Sequence, residues 1–128
     1  MSYFGPHLIL DLKNCNKETL ASKELIYDIL LNLPEKIGMT RISEPDVFYY
    51  SGKYPEDCGV TGVVVLAESH CSIHTFQEKG YCFVDIFSCK KFDTKTAVEE
   101  LVEHFESLSF DVQVIQRGVN FPKSSHQD

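Results

Sequence analysis

Apolar residues recur along the chain in two rhythms, one of period two and one near 3.6, and the switches between them divide it into strands and helices. His7-Leu8-Ile9-Leu10-Asp11-Leu12 predicts a first strand, closed by the polar stop Lys13-Asn14-Cys15-Asn16. From about Glu18 to Leu33, Ala21, Leu25, Ile26, Ile29, Leu30 and Leu33 fall at helical spacing, and Pro34 is expected to end that helix. Val47-Phe48-Tyr49-Tyr50 is a short aromatic strand, and Ser51 to Gly59, with Gly52, Pro55 and Gly59, reads as a loop. Three extended runs follow: Gly62 to Ala67, Cys71 to Phe76 and Tyr81 to Phe87, the last two joined by a hairpin turn at Gln77-Glu78-Lys79-Gly80. These three are expected at the centre of a sheet. Asp93 is placed to cap a second helix in which Val98, Leu101, Val102, Phe105 and Leu108 share one face. Phe110 to Gln116 supplies a last strand, and Phe121 to Asp128 is a polar tail expected to fray.

Each helix has a single apolar face, and such helices bury it against a sheet. The expected fold is therefore α+β, a two-layer α/β sandwich with a mainly antiparallel sheet and both helices on one face. No linker-like stretch interrupts the pattern, so residues 1–128 form a single domain. The element order carries a structural pseudo-repeat, strand-helix-strand on each side of the loop, without a matching repeat in sequence.

Composition narrows the function. A chain of 128 residues with 43% hydrophobic content supports one core and excludes a wholly disordered protein. No apolar run approaches the roughly 20 residues that span a bilayer. The segment Met1 to His7 lacks the basic head and apolar stretch of a signal peptide, so a cytoplasmic location is expected and no membrane partner. Twelve basic against nineteen acidic residues give a net charge of -7, the wrong sign for a nucleic-acid binder and better suited to a small cationic substrate. Cys15, Cys58, Cys71, Cys82 and Cys89 are odd in number and include no C-x-x-C pair, which argues against structural disulfides and a structural zinc site. Most of them are expected to be small buried hydrophobes.

Reactive side chains are densest in Glu68-Ser69-His70-Cys71-Ser72-Ile73-His74-Thr75. In an extended segment His70, Ser72 and His74 share one face, and Cys71 and Ile73 the other. A zinc site would use His70, His74 and a cysteine, but no recognised ligand spacing accompanies them, and no metal is expected. A serine-hydrolase triad would need Gly-x-Ser-x-Gly, which is absent. Taken in isolation, the hydroxyls fit strand-edge positions and the histidines fit surface or hydrogen-bonded core positions.

Three ordered segments carry more. Val60-Thr61-Gly62-Val63-Val64-Val65-Leu66-Ala67-Glu68-Ser69-His70, then Ile73-His74-Thr75-Phe76-Gln77-Glu78, then Val84-Asp85-Ile86-Phe87-Ser88-Cys89 together resemble the prokaryotic S-adenosylmethionine decarboxylases, as does the opening Gly5-Pro6-His7-Leu8. The resemblance implies a pyruvoyl enzyme made by self-cleavage between Glu68 and Ser69, giving chains 1–68 and 69–128. It implies Ser69 as the source of the pyruvoyl group and His74 as the processing base. Thr61, where the family usually has serine, would support the oxyanion, and Cys89 would donate the proton in turnover. By the same resemblance the pyruvoyl ketone condenses with the substrate amine to an imine, and decarboxylated S-adenosylmethionine serves as the aminopropyl donor for spermidine. Glu78 matches a ribose-binding glutamate. The loop from Tyr50 to Cys58 departs from the family pattern, so Tyr54 and Phe76 stand as candidates for the adenine-stacking aromatic. The association implied is a homodimer whose site draws on both subunits. Two other readings stay open: a pyruvoyl-dependent arginine or ornithine decarboxylase on the same fold, and an unprocessed homologue that binds a nucleoside or serves in assembly.

Overall fold

Along the first strand, β1 (Gly5–Lys13), Leu8, Leu10 and Leu12 are fully buried while His7, Ile9 and Asp11 between them are not, so the strand has one covered and one open side. The computed structural model, which describes residues 2–122, repeats this division in the inner strands of a six-stranded sheet. The chain runs through β1, α1 (Lys17–Leu20), α2 (Lys23–Lys36), β2 (Asp46–Tyr50), β3 (Gly59–Leu66), β4 (Ser69–Phe76), β5 (Tyr81–Phe87), α3 (Thr94–Phe105) and β6 (Ser109–Arg117). The sheet order is β2-β3-β4-β5-β1-β6. Every neighbouring pair is antiparallel.

Both long helices lie on one face. Ile26, Ile29, Leu30 and Leu33 of α2 and Ala97, Leu101 and Phe105 of α3 join Val60, Val64, Ile73, Val84 and Ile86 in one core. The closest approach of α2 is at Gly62, where an added Cβ would sit 2.8 Å from Leu30 Cδ1 and 3.1 Å from Ile26 Cγ2. This is the expected two-layer α+β sandwich, with β3, β4 and β5 inside the sheet and β1 inserted beside them.

Several boundaries differ from expectation, each for a local reason. The first helix is two, because Ser22 starts a new one: its hydroxyl accepts the Leu25 N–H at 3.0 Å, as Asn16 does for the N–H groups of Glu18 and Thr19 in α1. Pro34 lies inside α2, in the last turn, and the helix continues to Lys36 before Gly38 adopts φ +87°. Leu108 is 84% exposed instead of sharing the α3 face, since Glu106 takes a left-handed conformation and closes the helix at Phe105. Of the five cysteines only Cys71 and Cys82 are buried; burial pushes the Cys71 thiol up to about 12. Strand β6 is exposed along its whole length, with no helix over it. The expected fraying of the tail concerns residues that, from 123 onward, lie outside those described.

Candidate active site

The β3–β4 hairpin carries most of the residues singled out above, and it sorts them to its two ends. Leu66 pairs with Ser69, so Ala67 and Glu68 alone make the turn. Glu68 has φ 55°, the left-handed region that costs an ordinary L-residue roughly 1–2 kcal/mol. The surroundings hold it there. The Ala67 N–H donates to the Thr40 carbonyl at 2.8 Å and the Ile42 N–H to the Val65 carbonyl at 3.0 Å.

The Ser69 hydroxyl, on the residue that follows the strained Glu68, donates to the Ala67 carbonyl at 3.3 Å. It accepts the Cys89 backbone N–H at 3.1 Å. The Cys89 thiol in turn donates to the Ala67 carbonyl at 3.6 Å. Residues 67, 68, 69 and 89 thus form one small constellation, built from a tight turn and the segment leaving β5. A nucleophilic hydroxyl, an adjacent carbonyl, an N–H donor and a thiol are the groups an acyl shift followed by a proton transfer requires.

His74 and Thr61 occupy the far end. They face each other across β3 and β4 and share a hydrogen bond of 3.1 Å between Thr61 Oγ1 and His74 Nδ1. Five strand residues at about 3.3 Å each separate Ser69 from His74, roughly 16 Å in all. His74 also sits on the open face with His70 and Ser72, whereas Ser69 falls in the row of the buried Leu66 and Ser88. One chain therefore does not bring His74 to its own Ser69. His70 and His74, about 13 Å apart by the same count, share no ligand point either. Among the described residues no three His, Cys, Asp or Glu side chains converge to hold a metal ion.

Around His74 the open face forms a groove of about 500 Å³ lined by Tyr50, Asp57, Thr61, Phe76 and Phe83 as well. Phe76 and Phe83 meet edge to face, ring centroids 6.0 Å apart. Phe76 is thus in the groove, whereas Tyr54 lies outside its lining, 52% exposed, with the Lys53 ammonium 5.5 Å from its ring. Glu78, in the turn after Phe76, pairs with Lys17 at 2.6 Å. Tyr50 and Phe83 were not singled out from sequence. The signal for Phe83 was present, since Tyr81, Phe83 and Asp85 alternate with the buried Cys82, Val84 and Ile86. A further pair on the open face, His7 Nε2 and Asp85 Oδ1 at 3.1 Å, joins strands far apart in sequence and carries no local signal.

Comparison with known proteins bears on this geometry. The family model described as S-adenosylmethionine decarboxylase matches residues 6–118. An S-adenosylmethionine decarboxylase proenzyme of Thermodesulfovibrio yellowstonii is 36% identical over 120 residues, 93% of this chain and 84% of the relative. The Pyrococcus furiosus proenzyme of the same name is 33% identical over 120 residues, covering 93% and 82%. The crystal structure of the adenosylmethionine decarboxylase from Aquifex aeolicus superposes with a TM-score of 0.76 at 29% identity, over 98% of this chain and 99% of the other.

Proposed function

The chain belongs to the S-adenosylmethionine decarboxylase family, and we propose that it cuts itself between Glu68 and Ser69 and then decarboxylates S-adenosylmethionine, yielding the aminopropyl donor for spermidine. The observation that carries the reading is the Ser69 hydroxyl beside a strained peptide, held by the Cys89 N–H. The Ser69 hydroxyl adds to the Glu68 carbonyl, the peptide C–N bond breaks, and the proton passes to the freed nitrogen, so that the peptide becomes an ester. Loss of the Ser69 α-proton to a base expels the ester oxygen as the Glu68 carboxylate. Water then releases the nitrogen as ammonia and leaves a pyruvoyl group at position 69.

That group supplies an electron sink for the pair released with carbon dioxide, the role a pyridoxal cofactor plays elsewhere. The chain's own residues do the rest. Cys89, whose thiol already points to the turn, holds the proton for the substrate carbon once Ala67 and Glu68 have withdrawn. His74 is the processing base and Thr61 its hydroxyl partner. Because both lie roughly 16 Å from Ser69 of their own chain, they act on the Ser69 of a second copy, in a homodimer joined through the open sheet face. Phe48, Val65 and Phe83, exposed there, give such a contact apolar area. Phe76 and Phe83 offer an aromatic face for adenine and Glu78 a carboxylate for the ribose hydroxyls. Among the described residues no helix is long and apolar enough to cross a membrane; in this proposal the reaction is taken to be cytoplasmic.

A second reading, decarboxylation of arginine or ornithine by the same group, is favoured by Asp57, an acid lining the groove beside His74. Two measurements test the proposal. Intact-mass analysis should show fragments of 68 and 60 residues, the latter with a blocked, pyruvoyl terminus. Labelled carbon dioxide should be released from S-adenosylmethionine well above arginine or ornithine. An intact, inactive wild-type chain overturns the enzyme reading in favour of a binding or assembly role; turnover of a basic amino acid alone overturns the substrate.

A further inference from the structure

The peptide before Cys89 is held from two sides. Ser88 is 1% exposed, and its N–H donates to the Pro6 carbonyl at 3.0 Å. Its hydroxyl accepts the Lys90 N–H at 3.1 Å, bending the chain around Cys89. Directly against this bend runs the start of β1. A Cβ added at Gly5 would lie 1.9 Å from the Ser88 carbonyl oxygen and 2.9 Å from the Cys89 carbonyl carbon, so no side chain fits there unless the bend moves. The bend is therefore clasped between Gly5 and the Ser88 hydroxyl. Its outcome is the 3.1 Å contact from the Cys89 N–H to the Ser69 oxygen.

We propose that Gly5 and Ser88 are positioning residues of self-cleavage, acting by aiming the Cys89 backbone N–H at the Ser69 hydroxyl oxygen. The inference rests on the self-cleavage proposed above. In that sequence the Ser69 oxygen becomes the ester oxygen and then departs as part of the Glu68 carboxylate. An N–H donor already on it stabilises the negative charge that builds there as the Cβ–O bond breaks. The donor is main chain, so truncating the Cys89 side chain leaves it in place, whereas loosening the clasp moves it. A misplacement of about 1 Å from a reacting atom costs up to about a hundredfold in rate.

The test compares cleavage rates of fresh precursor by intact mass in wild type, Ser88→Ala, Ser88→Thr, Cys89→Ala and Gly5→Ala, each checked for folding by circular dichroism. Ser88→Ala should cleave roughly ten- to a hundredfold more slowly, more slowly than Cys89→Ala, and Ser88→Thr, which restores a hydroxyl for the Lys90 N–H, should recover most of the rate. Gly5→Ala, if folded, should fall with Ser88→Ala. The clasp is overturned if folded Ser88→Ala cleaves at the wild-type rate, or if Ser88→Thr is as slow as Ser88→Ala, which would mark a packing effect. If wild type itself never cleaves, the self-cleavage reading fails first; the clasp is then judged by Cys89 amide exchange, which should speed up in Ser88→Ala and not in Ser88→Thr.

Discussion

The two ends of the β3–β4 hairpin are made from the same pair of strands and do opposite things. At the turn, Ala67, Ser69 and Cys89 are joined by three hydrogen bonds around one strained residue, Glu68. At the other end Thr61 and His74 lie on an open, aromatic sheet face with space in front of them. On the proposed function, the turn would hold the reactive bond without a base and the groove the base without a reactive bond. A rigid sheet keeps them apart, and a two-fold dimer would join them by placing each copy's groove against the other's turn.

The largest effect should come from removing the turn's nucleophile. Ser69→Ala should remain one chain of 128 residues and release no carbon dioxide, as read by intact mass and a label assay. Cleavage of that variant at the same bond would break the comparison. Next, Cys89→Ala should still yield processed chains but turn over about 10²–10⁴ more slowly; near-normal turnover would leave Cys89 with no role after cleavage. A smaller effect belongs to the turn after Phe76, beyond the groove: Glu78→Gln should raise KM for S-adenosylmethionine roughly tenfold through the lost charged hydrogen bond and leave cleavage unchanged. Slower cleavage in Glu78→Gln would mean that the two ends are not separable.

The smallest effect is away from both ends. The Thr96 N–H and hydroxyl, donating to Asp93 at the start of α3, hold its carboxyl below the usual range. That stabilisation is full above the ordinary carboxylate pKa and is lost as pH falls through the depressed one. Asp93→Ala should therefore lower the unfolding midpoint slightly at neutral pH and flatten its decline in acid, with cleavage unaltered. A midpoint that falls equally at every pH would remove the cap from the account.

Much of the fold was legible because the covered face of the sheet writes itself as alternation. Leu8, Leu10 and Leu12, or Cys82, Val84 and Ile86, announce which side is buried. Capping was harder to read, since Ser22 and Glu106 change helix boundaries through single side-chain or backbone conformations that the apolar pattern ignores. In the site, resemblance singled out Ser69, His74 and Cys89, and alternation placed His74 on a face with His70. Neither revealed that Ser69 and His74 stand at opposite ends of one strand with Cys89 beside only the first. That separation depends on β4 beginning at Ser69 and not at Cys71, so that every step from Ser69 to His74 is extended. The groove residue Tyr50 was illegible for another reason: it comes beside His74 through the pairing of β2 with β3, Tyr50 opposite Gly59, which no local pattern shows.

Mixing the two defective halves tests the central claim most directly. Ser69→Ala and His74→Ala chains, distinguished by a mass tag and co-expressed, should form mixed dimers in which one site has both residues intact. Intact mass should then show the His74→Ala chain cut between 68 and 69, though that variant expressed alone cleaves slowly, and activity should return to about a quarter of wild type, the share of intact sites under random pairing. If the His74→Ala chain stays uncut in the mixture while it is dimeric, or if it cleaves just as fast alone, the groove of one copy does not serve the turn of another.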